Sequence, residues 1–127
     1  MHSTQAISAT ANRTAVVVDL IGDLDVTLST LVADTLDRIT DDGGRSVFIS
    51  TKYIALTTRE GLARLDEALT GIRSRGCAVA LEAGNRKMRT AFAFARMTCD
   101  AAASRPAGGR HLMIAHHAPI TKPAASA

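Results

Sequence analysis

Apolar residues along this chain alternate between continuous runs and helical spacings. Thr14-Ala15-Val16-Val17-Val18-Asp19-Leu20-Ile21 is β-branched and almost unbroken in apolar character, as in a strand covered on both faces or central in a sheet. Gly22 is expected to end it. Beyond it Leu28, Leu31, Val32, Leu36 and Ile39 recur at spacings of three and four, which gathers them on one stripe of a helix. Asp25 or Thr27 can cap its start, and Asp41-Asp42-Gly43-Gly44 closes it, because glycine readily takes the left-handed conformation found at helix ends. Ser46 to Ser50 reads as a second strand. The next helix carries Leu62, Leu65, Leu69 and Ile72 inward and stops at Gly76. Cys77 to Leu81 forms a third strand and Gly84-Asn85 a turn. Arg86 to Met97 forms a third helix, with Met88, Ala91, Phe92 and Ala95 inward and Arg86, Lys87, Arg89 and Arg96 outward.

Before the first strand, Ala6 to Thr10 can form a short strand ahead of a turn at Asn12-Arg13. After the third helix, Ala101 to Gly109 is a linker with Ser, Pro and Gly. His111 to His116 follows as an edge strand, and Pro119 to Ala127 as a frayed tail. Strands alternating with single helices indicate βαβ crossovers. The predicted architecture is therefore α/β: a small mixed or mostly parallel sheet of four or five strands with three helices packed against it. One domain spans 14–117, preceded by a short extension or edge strand over 1–13 and followed by a flexible tail over 118–127.

Composition narrows the function. The chain has 127 residues, 46% of them apolar but only 3% aromatic, so one core must be built from Ala, Val, Leu and Ile. No run approaches the roughly 18 apolar residues of a membrane helix, and the N-terminus lacks a basic region followed by an apolar one. A cytoplasmic protein with no membrane partner is expected. Cys77 and Cys99 stand without a framework of further cysteines and read as free thiols. The net charge is +3. Acids gather in the first half and bases in the second, a dipolar arrangement that steers a protein partner at least as naturally as a phosphate backbone.

The candidate chemistry is sparse. His111, His116 and His117 have no carboxylate or thiol near them in sequence, and within a strand 111 and 117 share a face that 116 leaves, so no metal is expected. Asp23 and Asp25 follow a strand end, where open α/β sheets often bind ligands. Capping accounts for Asp25, and nothing identifies an acid/base partner of shifted pKa, so neither catalysis nor a cofactor is expected. The basic run Arg86-Lys87-Met88-Arg89 has no aromatic residues to stack bases; it would hold nucleic acid through phosphates alone and reads first as a solvated helix face. The junction Ile54 to Leu65, IALTTREGLARL, runs from a strand end into a helix. Its Thr57-x-x-Glu60 pattern is that of a capping box, in which Thr57 caps the helix and Glu60 reaches back.

The order of these elements resembles the STAS domain, the fold of the bacterial anti-sigma factor antagonists. Gly22-Asp23-Leu24-Asp25 matches the family's Gly-x-Leu-Asp after its central strand, and Gly61-Leu62 with Leu65 matches the Gly-Leu that follows its phosphorylation loop. The resemblance covers about Thr14 to Met97. It implies a regulatory protein-binding module in partner switching: unphosphorylated antagonist binds a kinase-type anti-sigma factor and frees sigma, and phosphorylation of a loop serine releases it. Two negative charges brought into a packed interface can reverse binding in this way. By this resemblance the partner-binding residues are Asp23, Asp25, Thr57, Thr58, Arg59, Glu60 and Leu62. A gap-free match places Arg59 where the family has its serine, Thr58 at the loop aspartate, Glu60 at the following small residue and Ser50 at the aspartate ending the preceding strand. The usual switch residue is thus missing, and Thr58 is the better of the two threonines for any phosphorylation. Two further readings remain open: a STAS-like scaffold or ligand-regulated module not tied to sigma control, and a weak nucleic-acid binder. A homodimer is compatible with all three.

Overall fold

The computed structural model describes residues 15–100 and 105–119. The strand expected at Ala6 to Thr10, its following turn and the tail from residue 120 lie outside them. Four strands, β1 (Ala15–Leu24), β2 (Ser46–Thr57), β3 (Ala78–Glu82) and β4 (Arg110–His116), form one parallel sheet in the order β3-β2-β1-β4. Three helices, α1 (Val26–Asp41), α2 (Arg59–Ser74) and α3 (Arg86–Phe94), connect them. The fold is α/β, as the alternation of patterns predicts.

One core holds the helices to the sheet. Val16, Val18, Leu20 and Leu24 of β1, Val47, Ile49 and Ile54 of β2 and Leu81 of β3 share this core with Leu28, Val32, Leu36 and Ile39 of α1, Leu65, Leu69 and Ile72 of α2, and Met88 and Phe92 of α3. Each buried aliphatic side chain contributes roughly 1.5–3 kcal/mol. Phe92 is the single aromatic in this cluster, so fit depends on interlocking aliphatic shapes. Leu31 does not join it: it is exposed, while Ser29 and Ala33 are buried. Small residues face inward there because α2 comes close, near enough for the Ser29 hydroxyl to donate to the Gly61 carbonyl at 2.6 Å.

Two strands are longer than their patterns suggest. Gly22 does not end β1; it stays in the strand at φ 106°, and its lack of a Cβ leaves room for the His116 carbonyl of β4. β2 continues past Ser50 to Thr57. Asp19 pairs with Ser50 but Ile21 with Tyr53, and Gly22 pairs with Ile54 but Asp23 with Leu56, so β2 carries an extra residue at two places. Bulges of this kind break the period-two alternation by which a strand is recognised. Thr51 secures the first, its hydroxyl lying 2.8 Å from Glu82 O and 2.7 Å from Ala83 O. In the other direction, α3 stops at Phe94 rather than Met97 and leaves Ala95 exposed. Arg96 turns left-handed and the Met97 amide reaches back 2.9 Å to the Phe92 carbonyl, a helix-closing motif that tucks Met97 into the core.

The strand order reverses after β3. Asp100 sits on β3's outer edge, its amide donating to Leu81 O and its carboxylate accepting from the Leu81 amide at 2.9 Å. Arg105 lies against Asp19, on the face of the sheet away from the helices. β4 then enters at the other edge, beside β1.

Candidate functional site

At the carboxyl ends of β1 and β2 two turns are locked together. The Thr58 amide donates to the Leu24 carbonyl at 3.0 Å, and Ser29 holds Gly61 as described. Any side chain at Gly61 would strike Leu24 O and bring its Cβ within 2.7 Å of Asp25 Cα, so glycine is what lets α2 begin against the β1–α1 turn. Asp25 caps α1 by accepting from the Leu28 amide at 3.0 Å. That bond, with the neighbouring His116, holds the Asp25 carboxyl below its ordinary range against the opposing effect of desolvation. β4 closes the third side: His116 Nε2 lies 3.2 Å from Asp25 Oδ2, and the Ala118 amide donates to Asp23 Oδ2 at 2.9 Å.

The cap of α2 differs from the sequence expectation. Thr58, not Thr57, is the N-cap, its hydroxyl oxygen accepting from the Gly61 amide at 2.9 Å. Because β2 runs through Thr57, the helix starts one residue later; Glu60 then falls at the second helical position, not the third, and no capping box forms. Thr57 is instead the last residue of β2, paired with Leu24. Leu62, expected at the partner surface, is buried in the core; an apolar side chain at that turn of an amphipathic helix belongs to the inner stripe. Asp23, Asp25, Thr58, Arg59 and Glu60 do come together, with Thr58, Arg59 and Glu60 exposed. Sequence reasoning missed two apolar neighbours, Val26 and Leu56, which are 48% and 60% exposed. Leu56 was hidden by the β2 bulges.

A second constellation lies on the sheet face opposite the helices. Asp19, whose side chain is only 6% exposed, accepts from Arg105 through both guanidinium nitrogens, Nη1 at 3.1 Å and Nη2 at 2.7 Å, and from His111 Nε2. The Arg105 guanidinium, with help from His111, keeps the Asp19 carboxyl below its ordinary range despite burial. Around it Ile21, Lys52, Tyr53, Glu82 and Met113 line a depression of about 800 Å³. The signal for this cluster was present: a carboxylate in the middle of the most apolar strand needs a partner. Its partners stand 86 and 92 residues away, a separation that local patterns cannot span.

Neither constellation presents a free acid/base pair. Asp19 is engaged at both oxygens and acts as a clamp on the segment entering β4; Asp25 is engaged as a cap. Among the described residues no group of three His, Cys, Asp or Glu side chains is placed to hold a metal, and no helix is long and apolar enough to cross a membrane. Cys77 and Cys99 are both free thiols, and burial raises the Cys77 thiol above its ordinary range, away from the reactive thiolate. Comparison with protein-family models, with curated proteins and with solved structures finds no match to this chain.

Proposed function

We propose that this chain is a non-catalytic regulatory module of the STAS type, a cytoplasmic antagonist that binds a kinase-fold anti-sigma factor through the corner where α1 and α2 begin. The observation that carries this reading is a surface of exposed groups on a fixed frame. Thr58, Arg59 and Glu60 face outward, while Leu24, Ser29 and Gly61 hold the backbone beneath them by hydrogen bonds. A frame already ordered before binding loses little entropy on docking. Leu56 and Val26 supply apolar area beside the charges, which suits a protein interface better than a small-molecule pocket. Arg59 stands at the serine position of the resemblance, so binding is not switched by phosphate there. Thr58 is the exposed threonine of the two at the junction, and a phosphate on it would sit at a helix N-terminus.

Affinity capture from an extract of the source cells, with mass spectrometry, tests the proposal. Recovery of a kinase-fold anti-sigma factor is expected, with loss of capture by Arg59→Glu/Glu60→Lys at unchanged melting temperature. Capture unaffected by that reversal, or no anti-sigma factor at all, refutes it. The depression beside Asp19 favours a second reading, in which the same module answers to a small ligand; saturation of Asp19 by Arg105 and His111 ranks it lower.

A further inference from the structure

Several arginines of the described surface find carboxylates: Arg64 with Glu67, Arg75 with Asp37 and Asp41, and Arg105 with Asp19. The bases on α3 pair with none among the described residues, as is also true of Arg38, Arg45, Lys52, Arg59, Arg73 and Arg110; α3 differs from α1 and α2 in having no acid of its own. Its sequence RKMRTAFAF contains no acid, Arg86, Lys87 and Arg96 form no ion pair among the described residues, and the remaining stretches of the chain contain no Asp or Glu. On this helix Phe94 is 86% exposed. It lies seven residues after Lys87, on almost the same face and about 10 Å further along the helix, an exposed aromatic that the reading of the basic run alone left out. Arg89 points elsewhere, into a depression shared with Glu82 and Asp100.

The face is rigid and continuous with the corner. Asn85 caps α3 by accepting from the Met88 amide at 2.8 Å, Met88 and Phe92 anchor it in the core, and Lys87 Nζ donates to the Ala55 carbonyl at 2.8 Å, next to exposed Leu56. We infer that α3 extends the docking corner, and that its partner presents an acidic polypeptide surface with an apolar socket for Phe94. The inference rests on the proposed protein-binding role and names the partner's chemistry. Charge complementarity selects an acidic partner, and an exposed aromatic on a basic helix has the makeup of an interface anchor. A phosphate backbone fits less well, because Glu60, Asp23 and Asp25 at the adjoining corner would repel it, whereas a polypeptide can present both signs.

The test is a titration of the isotope-labelled chain, followed by NMR, with three probes: a synthetic amphipathic helical peptide rich in Glu and Leu, a mixed-sequence single-stranded DNA oligonucleotide, and vesicles containing phosphatidylserine. The peptide is expected to shift the amides of Arg86, Lys87, Thr90, Phe94 and Leu56. Arg86→Glu/Lys87→Glu should weaken it about tenfold and Phe94→Ser about fivefold, with Lys87→Ala controlling for loss of the bond to Ala55. Binding to DNA or vesicles as tight as to the peptide, or peptide shifts that bypass α3, overturns the inference. The two proposals fail separately. Peptide binding on α3 without capture of an anti-sigma factor sinks the functional reading alone; capture that depends on Arg59 but ignores the α3 reversals sinks this inference alone.

Discussion

On the helix-bearing face of the sheet, Val18 and Ile49 lie side by side and are sealed by leucines and isoleucines of α1 and α2. On the other face their neighbours Asp19 and Ser50 also pair across the same two strands, yet Arg105 and His111 hold Asp19, and Glu82 accepts from the Ser50 hydroxyl at 2.8 Å. The contrast separates two ways of fixing one sheet. Apolar burial is non-directional and sums over many contacts, so the helix face defines the fold. A charge clamp is directional and concentrates on one carboxylate, so on the other face, beside buried Val17 and Phe48, it defines where a particular segment goes, here the entry to β4.

Substitution on the two faces should therefore differ in size and in kind. Leu65→Ala opens a cavity in the fully buried core and is expected to cost about 2–5 kcal/mol, read as a lower denaturation midpoint with an unchanged slope. Asp19→Ala removes the shared acceptor of Arg105 and His111. Breaking a buried pair costs about 3–5 kcal/mol, but the Arg105 side chain is 45% exposed and water can take its charge, so a loss of roughly 2–3 kcal/mol is expected. That variant should also release Arg105–Arg110 to faster amide exchange while α1 and α2 keep their protection. Equal loss of protection in α1 would show that the clamp supports the whole core and would erase the contrast between the faces.

Acid sharpens the same comparison. Arg105 holds the Asp19 carboxyl, and the Leu28 amide holds that of Asp25, below the ordinary value of 3.8. For a depressed carboxylate the sign is fixed: its stabilisation is fully present above the unfolded value and is lost as pH falls through the lower folded value. These two groups therefore add no slope between neutrality and about pH 5, and a loss of stability that begins below about pH 4. Asp19→Asn should lower stability at pH 7 and flatten this acid limb, whereas Leu65→Ala should shift the whole curve down in parallel. A melting series from pH 7 to 3 distinguishes them; an acid limb just as steep in Asp19→Asn would deny the clamp its electrostatic role.

The same division explains what could be read from the chain. The stripes Leu28-Val32-Leu36-Ile39 and Leu62-Leu65-Leu69-Ile72 announce their helices, and with β1 they predict the layered α/β arrangement. The place before the first stripe narrows the cap of its helix to Asp25 or Thr27, and the structure has Asp25. The second half of β2 was unreadable because two inserted residues shift its alternation, which concealed Leu56 and moved the start of α2 by one residue. Leu31 fits the stripe but sits at its margin, and only the approach of Gly61 to Ser29 decides which flank of α1 is buried. The Asp19 clamp was half visible: a buried charge signals that a partner exists, but the identity of Arg105 depends on a crossover that no local pattern encodes.

The smallest expected effect tests the one-residue displacement of the helix start. Thr58→Ala deletes the hydroxyl that accepts from the Gly61 amide and is expected to cost about 1 kcal/mol, the usual value of an N-cap. Thr57→Ala removes a side chain with no capping bond, at a half-buried strand end, and should cost less than about 0.5 kcal/mol. The ranking is informative because a cap at Thr57 would reverse it. Thr58→Asp adds a further discrimination. Aspartate also caps helices and its charge favours the N-terminus, so the folded chain should keep near wild-type stability while carrying one more negative charge at the corner. If binding to the proposed partner then falls with stability unchanged, charge at Thr58 acts on the partner and not on the fold, which is the requirement for this threonine to serve as a switch.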